Sequence, residues 1–153
     1  MRALELKVPP LAVALVAAVA MWIAARATPA FVFLLPARVP VAAGVALAGA
    51  AFAALGARAF RRAGTTLNPM KPQAVSRIVS QGAFALSRNP MYVGMLLALV
   101  GWAILLGGVL PWLGPPAFVA YMTRFQIVPE ERALAARFGP EFDAYAKRVR
   151  RWL

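Results

Sequence analysis

The chain has 153 residues, of which 62% are apolar and 14% are charged, with 17 Lys and Arg against 5 Asp and Glu. Soluble domains carry about 25% charged residues, so this composition indicates a protein embedded in a membrane. The sequence contains neither His nor Cys. Imidazole bases, thiolate nucleophiles, disulfides and the common nitrogen and sulfur ligands of metals are therefore excluded, and we expect no metal site.

Long stretches without a charged residue predict the membrane crossings. Val8–Ala25 has 18 such residues, Val39–Ala57 has 19 and Asn89–Thr123 has 35, whereas a spanning helix needs about 20. The third stretch is too long for one crossing. Its turn signals, Gly107-Gly108, Pro111 and Gly114-Pro115-Pro116, divide it into a helical hairpin.

The predicted fold is therefore all-α and polytopic, with about four transmembrane helices in a single domain spanning residues 1–153. The predicted crossings are residues 8–25, 39–57, 90–106 and 117–128. A connector at 58–89 and a C-terminal helical segment at 129–153 would lie on the cytoplasmic side. The short apolar stretch at 27–37 contains Pro29 and Pro36, which favour an interfacial or re-entrant piece before the second crossing.

The distribution of basic residues supports this layout. Fifteen of the 17 basic residues fall on the side of the N-terminus, the connector and the tail, and only Arg26 and Arg38 fall on the other side. By the positive-inside rule, both termini are cytoplasmic. The basic excess is then a topological signal that also attracts anionic membrane lipids, and we expect no nucleic-acid partner. Abundant Arg, Ala, Gly and Pro suggest a bacterial inner membrane.

The N-terminus also resembles a signal peptide, because Arg2 and Lys7 precede an apolar stretch. Cleavage there would leave an odd number of crossings and put the two basic segments on opposite sides of the membrane. We therefore interpret this stretch as a crossing.

Helix-start signals open the third crossing. Asn89 suits an N-cap and Pro90 the first helical position. This pattern could simply cap a helix, with Arg88 reaching the interface. The free N–H groups of a helix N-terminus beside Arg88 would equally suit a polar ligand.

The tail repeats this pattern at Pro129-Glu130-Glu131 and at Pro140-Glu141, with Gly139 between the two predicted helices. Carboxylates in the first turn complement the helix dipole. Alternatively, one of Glu130 and Glu131 accepts hydrogen bonds from a ligand's hydroxyl or ammonium groups. Apolar residues at spacings of three or four form one stripe that can pack on the bundle: Leu134, Phe138, Phe142, Tyr145, Val149 and Trp152.

Three motifs together resemble a known family. They are Gly64-Thr65-Thr66 with Asn68-Pro69 and Pro72; Gly82-x-Phe84-x-Leu86-Ser87-Arg88-Asn89-Pro90-Met91-Tyr92-x-Gly94; and Glu130-Glu131-Arg132-x-Leu134 with Phe138-Gly139-x-Glu141-Phe142-x-x-Tyr145 and Val149-x-Arg151-Trp152. Over residues 64–153 the chain resembles the isoprenylcysteine carboxyl methyltransferase-like enzymes. These small integral membrane enzymes are related to the phospholipid N-methyltransferases.

The resemblance implies that S-adenosylmethionine binds on the cytoplasmic side and that a lipophilic acceptor enters from the bilayer. The cofactor-binding residues carried over from the family are Ser76, Arg77, Ile78, Val79, Phe84, Asn89, Pro90, Met91, Tyr92, Glu130 and Glu131. Glu130 and Arg124 are the candidate catalytic residues.

Two departures from the family pattern concern the acceptor. Many members have His at the position of Asn89, and Asn cannot act as a base. Carboxyl-methylating members have an Arg near the position of Gln126 that holds the substrate carboxylate, whereas the nearest guanidinium here belongs to Arg124. We expect Gln126 and Arg124 to contact the acceptor, whose identity and methylated atom (O, N or S) stay open.

Methyl transfer fits the residues available, because a sulfonium cofactor supplies the electrophile and the protein supplies position and a dry site. Two alternatives stay open: an NADPH-dependent membrane reductase related to the sterol reductases, and a non-catalytic lipid-binding scaffold. Small residues in the second crossing, such as Gly44 and Gly49, permit close helix packing within one chain or between copies. We expect a monomer.

Overall fold

A computed structural model describes residues 5–29, 36–64 and 75–153. Within these ranges the chain forms helices and turns, and there is no β-strand. The α-helices are α1 (Pro10–Ala27), α2 (Arg38–Ala63), α3 (Pro90–Leu106), α4 (Gly114–Met122), α5 (Val128–Phe138) and α6 (Pro140–Arg148). The predicted all-α class is confirmed. The predicted short piece at 27–37 and the motif at 64–72 fall largely outside the described residues.

Two of the helices have the length and composition needed to cross a membrane. These are α1, with 18 residues, and α2, with 26, each with a mean hydropathy of 1.9. The apolar helix α3 is shorter. Large apolar side chains such as Leu15, Val16 and Leu47 are exposed on the outer faces of α1 and α2, as expected where lipid is the solvent.

Helix α2 continues beyond its predicted end at residue 57. It includes Arg58, Arg61 and Arg62 and ends at Gly64, which adopts a left-handed conformation with φ of 62°. Ala and Arg are strong helix formers, so the loss of hydrophobicity at residue 58 does not end the helix, whereas glycine readily adopts the left-handed cap. The connector therefore begins at Gly64.

The predicted helical hairpin is present. Helix α3 occupies the predicted 90–106 and is closed by Gly107 in a left-handed conformation, and α4 starts at Gly114, slightly before the predicted residue 117. Asn89 is at the N-cap position, but its side chain makes no capping hydrogen bond. Its backbone carbonyl instead accepts hydrogen bonds from the N–H groups of Tyr92 (2.9 Å) and Val93 (3.0 Å).

Helix α5 begins at Val128, within one residue of the helix start predicted at Pro129, but no break separates it from α4. Helix α4 runs through a π-helical segment, Thr123–Ile127, directly into α5. Pro129 has no N–H to donate to the carbonyl of Phe125, but a wider turn can accommodate a proline. The N–H of Val128 correspondingly bonds the carbonyl of Thr123. Gly139 separates α5 from α6 as predicted, and α6 ends at Arg148.

Close approach of α2 to α3 forms one side of the bundle. An added Cβ at Gly94 would lie 2.6 Å from the carbonyl oxygen of Gly49, and one at Gly56 would lie 2.9 Å from Cγ of Pro90. A Cβ added at Gly44, on another side of α2, would meet no atom of a neighbouring element within 4 Å among the described residues. The small residues on the Gly49 side of α2 thus permit close packing against α3 of the same chain.

Two apolar clusters complete the described structure. Met21 of α1, Leu99 of α3, and Phe118 and Met122 of α4 belong to the main core. Phe142, Tyr145 and Val149 form a second core with Ile78 and Leu134. The stripe predicted in the tail therefore packs as expected, except that Trp152 reaches the main core and contacts Phe118 edge to face.

Candidate functional site

A cavity lies where the end of α2, the start of α3 and the tail helices meet, beside the second apolar cluster. About 850 Å³ of space lies between its walls, and this figure includes space that is open to the surroundings. The lining residues are Phe60, Val75, Arg77, Ile78, Val79, Phe84, Arg88, Asn89, Pro90, Met91, Tyr92, Glu130, Glu131, Leu134, Phe142 and Tyr145.

Glu130 is the buried carboxylate of the cavity. Its Oε1 accepts a hydrogen bond from the hydroxyl of Tyr92 at 2.7 Å and another from Nε2 of Gln126 at 2.6 Å. Burial raises the pKa of Glu130 to about 7, helped by the charge of Glu131, while the two hydrogen bonds oppose the shift. Because both donors use Oε1, they orient the carboxylate and leave its Oε2 out of this network.

Glu131 has a different environment, since two arginines bind it. Arg151 donates from Nε at 2.9 Å and from its terminal NH2 at 2.6 Å, and Arg88 lies 3.2 Å from the same carboxylate. The hydrogen bond to Glu131 raises the pKa of Arg151. Glu131 thus ties α5 to the residue before α3 and to the tail.

Arg88 combines a cavity position with an unmet hydrogen bond. Its side chain is mostly buried and its Nε atom has no hydrogen-bond partner among the described residues. A buried guanidinium N–H without an acceptor is costly. Arg88 contributes to the cavity wall a guanidinium that is paired with Glu131.

The segment after α6 holds the start of α3 in place. The carbonyl of Arg150 accepts from the N–H of Arg88 at 2.9 Å, and the carbonyl of Arg151 accepts from Nδ2 of Asn89 at 2.9 Å. Nε1 of Trp152 donates to Oγ1 of Thr123 at 3.1 Å. The amide N–H₂ of Asn89 thus donates to the tail, and its side chain does not cap α3.

The structure brings most of the sequence-predicted cofactor residues to one cavity. Those that line it are Arg77, Ile78, Val79, Phe84, Asn89, Pro90, Met91, Tyr92, Glu130 and Glu131. Ser76 is not among the lining residues. Gln126 is buried behind Glu130 and does not line the cavity.

Arg124 lies away from the cavity. Its terminal NH1 is 3.0 Å from Oε1 of Glu5, and its side chain is about half exposed. The catalytic and acceptor-binding roles expected for Arg124 would require it to lie beside Glu130 in the cavity. The structure does not bring these two residues together. The reason is the helical continuity through residues 123–127, which turns Arg124 and Gln126 to different sides.

Sequence reasoning did not assign cavity roles to Phe60, Leu134, Phe142 or Tyr145, and it named Arg88 only as a flanking charge. The hydroxyl of Tyr145 donates to the carbonyl of Phe84 at 2.8 Å, and burial raises the pKa of Tyr145 to about 12. The tail stripe was the available signal for Leu134, Phe142 and Tyr145. Phe60 could be found only once α2 was known to extend past residue 57.

These features define a helical protein with apolar, outward-facing helices and a partly polar cavity at the helix ends. A comparison with protein families gives the particular class: the phospholipid methyltransferase family model matches residues 37–141. The chain belongs to the phospholipid methyltransferase family, as its resemblance to the methyltransferases predicted. Family and fold together indicate a membrane methyltransferase.

One relative adds to this comparison. A protein of Haemophilus influenzae, described as an uncharacterized protein, is 44% identical over 63 residues, which are 41% of this chain and all of that protein. No solved structure matches the chain. The matched family range includes α2, α3, α4 and α5, and hence most of the cavity residues.

Proposed function

We propose that this protein transfers a methyl group from S-adenosylmethionine to a lipophilic acceptor at the cytoplasmic face of a bacterial inner membrane. The observation that carries the proposal is the cavity at the start of α3, which the buried carboxylate of Glu130 lines together with Arg88 and several apolar side chains. The proposed topology keeps four crossings and cytoplasmic termini. In that topology α4 with the π segment forms the fourth crossing, and α5 leaves the bilayer.

The chemistry of the lining residues fits this cofactor. Its hydroxyl and ammonium groups need acceptors, which Glu130 and Glu131 offer, and its carboxylate needs a cation, which Arg88 or Arg77 offers. Phe84, Phe142 and Ile78 give apolar surface for the adenine ring.

The protein's part in the reaction is to bind, orient and keep water out. When bound, S-adenosylmethionine supplies an electrophilic methyl group on a sulfonium, which needs no metal or imidazole. Tyr92 and Gln126 fix the Glu130 carboxylate, and the apolar walls keep the site dry. An amine acceptor must lose a proton, and Glu130 is then the base, since its pKa of about 7 suits proton transfer near neutral pH.

Ligand-dependent thermal stability tests this function. We expect S-adenosylhomocysteine to raise the midpoint temperature of the detergent-purified protein, since a ligand at about one hundred times its Kd adds about 2.7 kcal/mol. NADPH, measured in parallel, should give no shift. A shift with NADPH alone would favour the reductase alternative, and no shift with either ligand in folded protein would refute the assignment.

The raised pKa of Glu130 predicts a specific pH dependence. In the folded protein this pKa is about 7, against an ordinary value of 4.5, so between these values the folded chain holds a proton that the unfolded chain has released. The contribution to stability is therefore full below pH 4.5 and lost as the pH rises to about 7. We expect the ligand-free protein to lose on the order of 1–3 kcal/mol over this interval.

The variant Glu130→Gln isolates that contribution, because its side chain does not titrate. Its stability should change less between pH 5 and pH 7 than that of the wild type, measured as midpoint temperature. Binding of S-adenosylhomocysteine to the wild type should change in the opposite direction and strengthen as Glu130 ionises. Parallel stability profiles in the two proteins would contradict the assignment of the pKa to Glu130.

A further inference from the structure

The carbonyl oxygen of Phe125 lies in the π segment, at the point where Pro129 interrupts the regular helix pattern. In an α-helix this oxygen would accept from the N–H of residue 129, and proline has none. The structure supplies a donor from the other end of the chain, because the backbone N–H of Leu6 bonds this oxygen at 3.0 Å. The N-terminal segment therefore completes the helix beside Gln126.

Leu6 makes this bond in an unfavourable conformation. Its φ is 58°, in the left-handed region, where the Cβ of a leucine comes too close to the following carbonyl oxygen. Such a conformation persists only where surrounding contacts hold it. The conformation of Leu6 therefore indicates that specific interactions of neighbouring residues fix the N-terminal segment.

Glu5 provides those interactions. Its Oε1 lies 3.0 Å from NH1 of Arg124, and its Oε2 lies 2.5 Å from NH2 of Arg132. The hydrogen bonds from these arginines, with that of Arg124 the larger influence, lower the pKa of Glu5, although burial opposes them. One carboxylate thus joins the helical run before Gln126 to the run after Glu130.

We propose that Glu5 and Leu6 are positioning residues for the cavity, acting through the π segment on the hydrogen-bonded pair of Gln126 and Glu130. Gln126 and Glu130 lie between Arg124 and Arg132 in the same helical run, and their side chains meet at 2.6 Å. The hydrogen bond from the N–H of Leu6 fixes the carbonyl of Phe125, the residue next to Gln126. Loosening that bond shifts the amide that orients Glu130, while the apolar core of the bundle stays in place.

The first test is ligand binding, and it rests on the proposed function. We expect Glu5→Gln to weaken binding of S-adenosylhomocysteine about tenfold, measured by calorimetry on the detergent-purified full chain. Glu5→Asp, which keeps the charge, should restore most of the affinity. Glu141→Gln, at an exposed carboxylate of α6, is the matched control and should bind as the wild type does. Equal affinity in wild type and Glu5→Gln would overturn the inference.

Substitutions at Leu6 test the backbone bond separately. Leu6→Gly keeps the N–H and adopts a positive φ without strain, so we expect wild-type affinity and an unchanged or higher midpoint temperature. Leu6→Pro removes the N–H and cannot adopt this φ, and it should weaken binding as Glu5→Gln does. Wild-type affinity in Leu6→Pro would also overturn the inference.

A double-mutant cycle without ligand keeps this inference distinct from the proposed function. Glu5→Gln is combined with Tyr92→Phe, which removes the other donor to Glu130, and the midpoint temperatures of the single and double variants are compared. Coupled residues give non-additive changes, which we expect here. Additive changes would refute the positioning role. Coupling in a protein that does not bind S-adenosylhomocysteine would refute only the cofactor assignment.

Discussion

We expect Glu130→Ala to lower the affinity for S-adenosylhomocysteine by about 100-fold, which corresponds to about 2.7 kcal/mol. A hydrogen bond to a charged group contributes about 1.5–3 kcal/mol, and the substitution also leaves the hydroxyl of Tyr92 and the amide of Gln126 without their acceptor. Calorimetric titration of the detergent-purified variant measures the loss.

Two further variants separate charge from structure in this experiment. Glu130→Gln keeps an acceptor oxygen for Tyr92 and Gln126, so its loss of affinity reports the missing charge. Glu141→Ala removes an exposed carboxylate of α6 and should leave binding unchanged. Binding of wild-type strength in Glu130→Ala would show that the buried carboxylate does not hold the ligand.

We expect Gly94→Ala to destabilise the protein by about 1–3 kcal/mol or more, seen as a fall of several degrees in the midpoint temperature. The new Cβ would lie 2.6 Å from the carbonyl oxygen of Gly49 and 2.7 Å from Cβ of Ala53, so the backbones of α2 and α3 must separate. Phe60 of α2 and Pro90 of α3 both line the cavity. The separation should therefore weaken ligand binding as well.

Gly44→Ala is the matched control, because an added Cβ at Gly44 meets no atom of a neighbouring element within 4 Å in the part of the chain that the structure describes. It should keep the stability and the ligand affinity of the wild type. If Gly94→Ala were as stable as Gly44→Ala, the close approach of α2 to α3 would be disproved. If Gly44→Ala alone were destabilised, α2 would pack against its neighbours on the Gly44 side and not on the Gly49 side.

The helices could largely be predicted from the sequence because apolar stretches and helix-start signals are local. Pro90 and Leu106 bound α3 as predicted, since an Asn-Pro start and a glycine end act within a few residues. The extension of α2 beyond the predicted crossing at 39–57 was not foreseen, because hydrophobicity decreases at Arg58 while helix propensity does not. The continuity at Pro129 was missed because a π turn has no sequence signature of its own.

The cavity was predicted less completely than the helices. Glu130, Asn89 and Tyr92 could be identified from motifs, and the structure brings them together. The separate environments of Glu130 and Glu131 could not be predicted, because they depend on Arg151 and Arg88, which are distant in the chain. The pairing of Arg124 with Glu5 could not be predicted, because Glu5 lies 119 residues away in sequence.

The bonds between the tail and the start of α3 have a consequence for the order of events during synthesis. The carbonyl of Arg151 holds Asn89 across 62 residues of sequence, and Arg151 also binds Glu131. While the tail is still being synthesised, the apolar helices α1 to α4 are complete but these bonds cannot form. Packing of the apolar helices and completion of the cavity are therefore separate steps, and the second step requires the tail.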